Sequence, residues 1–241
     1  MIAAVALRQE IVFDPQTPSP SRGETLARYR RLREIGKRHH DNVLKFLPKD
    51  AVLQHARRLG LAVGKTIVLD SMDELTLAFD LAIYTAPVGR SRAIDRYASS
   101  ARLTPGSEEA VMLEAMRNAR FAVLLVRRRN ESGGLIVTDL FRGIDLWLVD
   151  EGLEASLPDG SAFATRYFAP EPFIMTAGVA LPIDRGALTR AIESAPALMR
   201  KPPADAIQDR RFAEALYRGA IEDGTMENVR YRDPSGADDE A

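Results

Sequence analysis

The side chains best suited to acid–base work or metal binding are His39, His40 and His55, the only histidines, and the acids Asp70, Asp73, Glu74 and Asp80. On a helix, His39 and His40 point about 100° apart and cannot chelate one metal from the same face. A two-histidine zinc site would need one of them to meet His55 across a helix hairpin, with a carboxylate such as Asp41 completing it. His40 continues an apolar stripe, so a hydrogen-bonded core histidine is the favoured reading. Asp70 and Asp73 stand where a helix begins, and carboxylates there complement the helix dipole and its free amides. No calcium-loop spacing is present, and Ser99, Ser100 and Ser132 have no nucleophile-elbow context. Gly60-Leu-Ala-Val-Gly64-Lys65-Thr66 has three residues between its glycines where a phosphate loop needs four, and it follows a helix rather than a strand. A helix C-cap leading into an extended segment fits it better. With no cysteine in 241 residues, thiolate zinc sites, iron–sulfur clusters, disulfides and cysteine nucleophiles are excluded. No cofactor and no metal is implied.

Charge is the other chemical feature. The formal net charge is −1, yet residues 25–60 carry ten basic side chains against three acidic ones, and residues 222–241 seven acidic against two basic. Arg30, Arg31, Arg33, Lys37 and Arg38, with Arg57 and Arg58 beyond them, could track phosphates while Tyr29 and the histidines stack on bases. The competing reading is a solvated face balanced by acids elsewhere, for which Glu108, Glu109 and the acidic end are candidates. Arg127-Arg-Arg129 is a second basic cluster at an expected hairpin tip, where charge guards a sheet edge.

The elements that would position these residues follow from caps, periodicity and turns. Residues 1–24 read as a flexible segment and linker, with three prolines between Asp14 and Gly23. Residues 25–119 read as helical. Ser21-Arg-Gly-Glu24 has capping-box spacing, and Leu26, Tyr29, Leu32, Gly36, His40, Val43 and Leu47 make one stripe ending near Pro48. A short helix runs from about Asp50 to Leu59 and stops at Gly60. Ser71-Met-Asp-Glu74 opens another, and further helices are expected over Ser91–Ser99 and Pro105–Arg120, the latter with proline at its first position. From 120 to 182 the texture is β. Phe121–Val126, Leu135–Leu140, Leu146–Val149, Ala162–Phe168 and Phe173–Val179 are separated by turn residues and predict five antiparallel strands in a meander or small barrel. Residues 183–221 predict two helices, Asp184–Ser194 and Ala204–Ile221, and residues 222–241 an acidic disordered tail. The fold class is α+β.

Residues 115–182 resemble a β module of uncharacterised bacterial proteins, some of which carry a SEC-C zinc motif. The residues concerned are Phe121-Ala-Val-Leu-Leu-Val126, Gly134-Leu-Ile-Val-Thr-Asp-Leu140, Gly143, Leu148-Val-Asp150, Pro158-Asp-Gly160, Ala164-Thr-Arg166 and Met175-Thr-Ala-Gly178. The zinc motif itself needs cysteines this chain lacks, so no ligand or catalytic residue transfers. The resemblance implies an accessory or interaction unit of cytoplasmic proteins. Trp147, the only tryptophan, lies between two leucines on a strand apolar on both sides. That pattern fits a strand covered by the helical half, or one face left outward for a partner.

The favoured reading is a cytoplasmic, non-enzymatic interaction or adaptor protein with a protein partner. Two alternatives stay open: nucleic-acid binding through the basic helices of residues 25–60, and an enzyme whose site draws on Asp70, Asp73 and a histidine. No apolar run approaches the roughly 20 residues of a membrane span, and the N-terminus lacks the basic region of an export signal.

Overall fold

The computed structural model describes residues 20–69 and 71–225. The expected linker up to residue 19, Asp70, and the acidic stretch from residue 226 lie outside the described residues.

Helix α1 (Arg22–Val43) starts at the expected capping box, with Ser21 Oγ accepting from Glu24 N and Glu24 Oε2 from Ser21 N at 2.9 Å. Its inner face is Tyr29, Leu32, Ile35, Gly36, His39 and Val43. His39 is buried on that face, and the neighbouring His40 is half-buried and meets the Tyr84 hydroxyl at 2.8 Å, the hydrogen-bonded core histidine expected at that position. Helix α2 (Ala51–Arg58) ends at Gly60, whose φ of +82° is the left-handed cap expected there. The extended segment expected after Gly60 is a small hairpin, β1 (Ala62–Val63) and β2 (Thr66–Ile67), turning at Gly64 with φ +62°. Helices α3 (Met72–Tyr84), α4 (Ala93–Ser100) and α5 (Glu108–Arg117) complete the front half. Pro105 does not open α5. Ser107 caps it instead, its Oγ accepting from Ala110 N at 3.2 Å.

The sheet is open and antiparallel, with strands β3 (Arg120–Arg129), β4 (Leu135–Asp139), β5 (Ile144–Leu148), β6 (Ala162–Phe168) and β7 (Met175–Pro182) in the order β5-β4-β3-β6-β7. The first three strands form a meander, and β6 then adds to the free side of β3. A lone parallel bridge between Leu148 and Ile174 links the end of β5 to the approach of β7, so the sheet curls without closing. A short helix, α6 (Glu151–Ser156), is inserted between β5 and β6, capped by Asp150. The described residues close with α7 (Arg185–Ser194), α8 (Pro203–Ala206) and α9 (Arg210–Glu222). The expected single last helix is broken before Asp209, which caps α9.

Both faces of the sheet are covered. Phe121, Val123, Ala164, Val179 and Leu181 pack under α2, α3, α7 and α9, while Ala122, Leu124, Val126, Val137, Leu146 and Phe163 gather on the other side with Leu153 of α6. A third cluster joins α1, α4 and α5 to Trp147, Phe173 and Met175. Burial on both sides explains why β3 reads as continuously apolar.

Candidate functional site

Most cations of the basic helix meet acids, drawn from several elements. Arg28 meets Glu108 and Glu171, Arg30 meets Glu151 at 2.6 Å, Arg31 meets Glu108 at 2.6 Å, and Arg38 meets Glu109 at 3.4 Å. Lys37 pairs with Glu34 one turn away, and Arg33 donates to the Thr176 carbonyl at 2.8 Å. Arg57 donates to the Gly64 carbonyl, and Arg58 lies 3.8 Å from Glu214. The positive charge of residues 25–60 thus ties α1 to the acidic starts of α5 and α6 and α2 to α9. Among the described residues, five of the seven cations singled out there, Arg30, Arg31, Lys37, Arg38 and Arg58, are paired with an acid, while Arg33 and Arg57 meet backbone carbonyls.

The other sequence candidates are also spoken for. Trp147 is 8 % exposed, stacks edge-on with Phe173 at 5.6 Å, and donates its indole N–H to the Gly133 carbonyl at 2.7 Å. It belongs to the core, so the outward partner-binding face suggested for it is corrected. His39 bridges the Tyr97 hydroxyl and the Glu109 carbonyl at 2.8 and 2.9 Å, and His40 meets the Tyr84 hydroxyl at 2.8 Å. His55 sits on α2, where burial, helped by the charges of Arg58 and Arg210, pushes its pKa down to about 4. None of the three hydrogen-bonds a carboxylate of a described residue, and Asp73 lies in the first turn of α3. Among the described residues no group of three or more His, Asp or Glu side chains could hold a metal ion.

The convergence of polar groups lies elsewhere, on the helix-covered face of the sheet. Arg166 on β6 stands opposite Phe121 on β3. Its Nε and Nη2 donate to the two carboxylate oxygens of Asp80 on α3 at 2.8 and 3.1 Å, and the Tyr217 hydroxyl of α9 donates to Asp80 at 3.0 Å. The guanidinium carbon lies 5.1 Å from the Tyr84 ring centre and 5.6 Å from that of Phe121. Burial opposes the charge on Arg166, but Asp80 outweighs it, so its pKa is raised and the guanidinium stays charged.

Arg166 is the floor of a cleft of about 520 Å³, within the size range of small-molecule sites. One wall is the loop from Thr85 to Arg92. The other is the entry to α9, from Ile207 to Arg210, with Ala213. Gln208 holds this entry to β3 by accepting from Phe121 N at 3.2 Å and donating to Phe121 O at 2.8 Å, backbone groups that β4, pairing only from Leu124, leaves open. Arg92 anchors the loop through Asp95 at 2.7 Å and the Arg117 carbonyl at 2.8 Å. Hydrogen bonds from Arg92 hold the Asp95 pKa below its ordinary value, and those from Arg211 and then Lys201 do the same for Asp209.

A protein-family profile matches residues 23–227, from α1 through α9, and is described as a family of unknown function, DUF7986. The chain belongs to that family. No curated protein and no solved structure gives a significant match. The whole cleft of this DUF7986 chain falls inside the matched residues.

The cleft of this DUF7986 chain has little signature in the sequence, although Asp80 and Arg166 both stand out there as charged residues. The signal was an arginine inside Ala162–Phe168, a strand otherwise made of apolar and small residues. A charge there requires a buried acid as its partner. Nothing local identifies that acid, because Asp80 lies 86 residues earlier.

Proposed function

We propose that this protein is a non-enzymatic binding protein, an adaptor-type chain that holds a ligand or partner without transforming it, and that its binding feature is the cleft over Arg166. The observation that carries the reading is the use of the Arg166 guanidinium. Asp80 takes Nε and Nη2, and Nη1, which makes no hydrogen bond with a described residue, is left at the floor of the cleft. A guanidinium fixed by a bidentate partner and by two aromatic faces is pre-organised, so engaging a ligand costs little further side-chain entropy. The carboxylates lining the cleft are both committed to arginines or lysines, which favours binding over proton transfer.

The test is ligand-observed and protein-observed NMR with a fragment library of mixed charge, on the native chain and on Ala86→Phe, which narrows the cleft from its loop side. Shift changes should centre on Tyr84, Phe121, Ile207 and Ala213 and weaken in the variant. Binding that maps to other surfaces, or that Ala86→Phe leaves unaltered, contradicts the reading.

A further inference from the structure

The cleft is cationic in a specific way. Its two acids are already neutralised: Asp95 by Arg92, and Asp209 by Lys201 at 2.9 Å and Arg211 at 2.9 Å. Two more lining arginines, Arg90 on the loop and Arg210 at the first position of α9, have side chains with no ion pair or hydrogen bond to a described residue. These two line the same cleft as Arg166 from opposite walls. The uncharged lining mixes the polar Thr85 and Gln208 with apolar and aromatic groups such as Tyr84, Pro87, Ile207 and Ala213.

Resting on the reading of this cleft as a binding site, we propose that its ligand is a small molecule with a carboxylate or phosphate group on an apolar body. Guanidinium forks match the oxygens of such groups, and charge-assisted hydrogen bonds are the strong ones. Arg166, 6 % exposed and held rigidly by Asp80, supplies the fixed donor. Arg90 and Arg210 close on the anion from either side of the cleft. The Tyr84 and Phe121 rings, already against Arg166, leave an apolar wall for the rest of the ligand. A cleft of about 520 Å³ is of the size that takes a small molecule.

The experiment is isothermal titration at low ionic strength with phenyl phosphate, phenylacetate and the neutral analogue benzyl alcohol, each against the native chain, the double variant Arg90→Gln with Arg210→Gln, and a control, Arg185→Gln, on α7. Neither cleft arginine has a partner to lose, so the double variant should fold, which its circular dichroism checks. One or both anionic probes should bind in saturable, salt-sensitive fashion, with benzyl alcohol weaker by at least about tenfold. The double variant should lose about tenfold or more, and the control nothing. Equal affinity for benzyl alcohol and the anions, or an unaffected double variant, overturns the proposed ligand class while leaving a binding cleft. Absence of binding by all three probes overturns the ligand class and removes the support for the cleft itself.

Discussion

Arg166 on β6 and Asp80 on α3 form a bidentate ion pair in the interior, 7 % and 4 % exposed at their side chains, and the hydroxyl of Tyr217 on α9 closes onto the same carboxylate. Three elements far apart in sequence therefore meet through one carboxylate, directly beneath the cleft. Buried pairs of this kind add little net stability compared with an apolar core, but breaking one leaves an uncompensated charge.

Asp80→Asn should accordingly destabilise the fold by about 3–5 kcal/mol, because it strands the Arg166 guanidinium. Adding Arg166→Met to Asp80→Asn should recover much of that loss. Urea denaturation of the two variants measures it; a double variant no more stable than the single one would show that the arginine is not what the aspartate compensates.

Gly134 turns the β3–β4 hairpin at φ +80°, and a Cβ placed on it would sit 2.2 Å from the Leu148 carbonyl oxygen. Gly143, also at positive φ (+67°), has open space around it. Gly134→Ala should cost several kcal/mol and Gly143→Ala about 1 kcal/mol, the backbone term alone. Thermal melts of the pair separate the steric contribution from the conformational one.

Burial pushes the pKa values of His40 and His55 down to about 4, against an ordinary value of 6.5. Between those values the unfolded chain binds protons that the folded one does not. Stability should therefore be full above about pH 6.5 and fall as the pH drops toward 4. His40→Gln should flatten that slope between pH 6.5 and 4.5, measured as the urea midpoint against pH.

The pairing of α1 with Glu108 and Glu151 has a consequence for nucleic acid. Arg30→Glu with Arg31→Glu should lower stability only slightly, since exposed ion pairs contribute little, and should leave the mobility of duplex and single-stranded probes where it is for the native chain. A salt-sensitive shift with native protein that the variant abolishes would restore the basic helix as an interface.

Local signals made much of the fold legible. Ser21 with Glu24, Gly60 and Asp184 mark helix ends with their own side chains or backbone, and β6 runs over the residues its composition indicates, Ala162–Phe168. What escaped was short or long-range. Helix α6 has six residues, too few for a periodicity to show. The placing of β6 beside β3 depends on a pairing that no turn encodes. The basic stripe was visible, but its acids on α5, on α6 and at Glu171 were only partly foreseen, since each partner lies 71 or more residues away. The cleft was hidden for the same reason: Arg90, Arg166 and Arg210 share no local pattern, and only the packing of α3 and α9 over β6 brings them to one space.

The most direct measurement of the central claim is a crystallographic fragment screen of the native chain. Bound fragments should concentrate in the cleft between the 85–92 loop and α9, within hydrogen-bonding distance of Arg166 Nη1. Fragments populating other surfaces while that cleft holds none would contradict it.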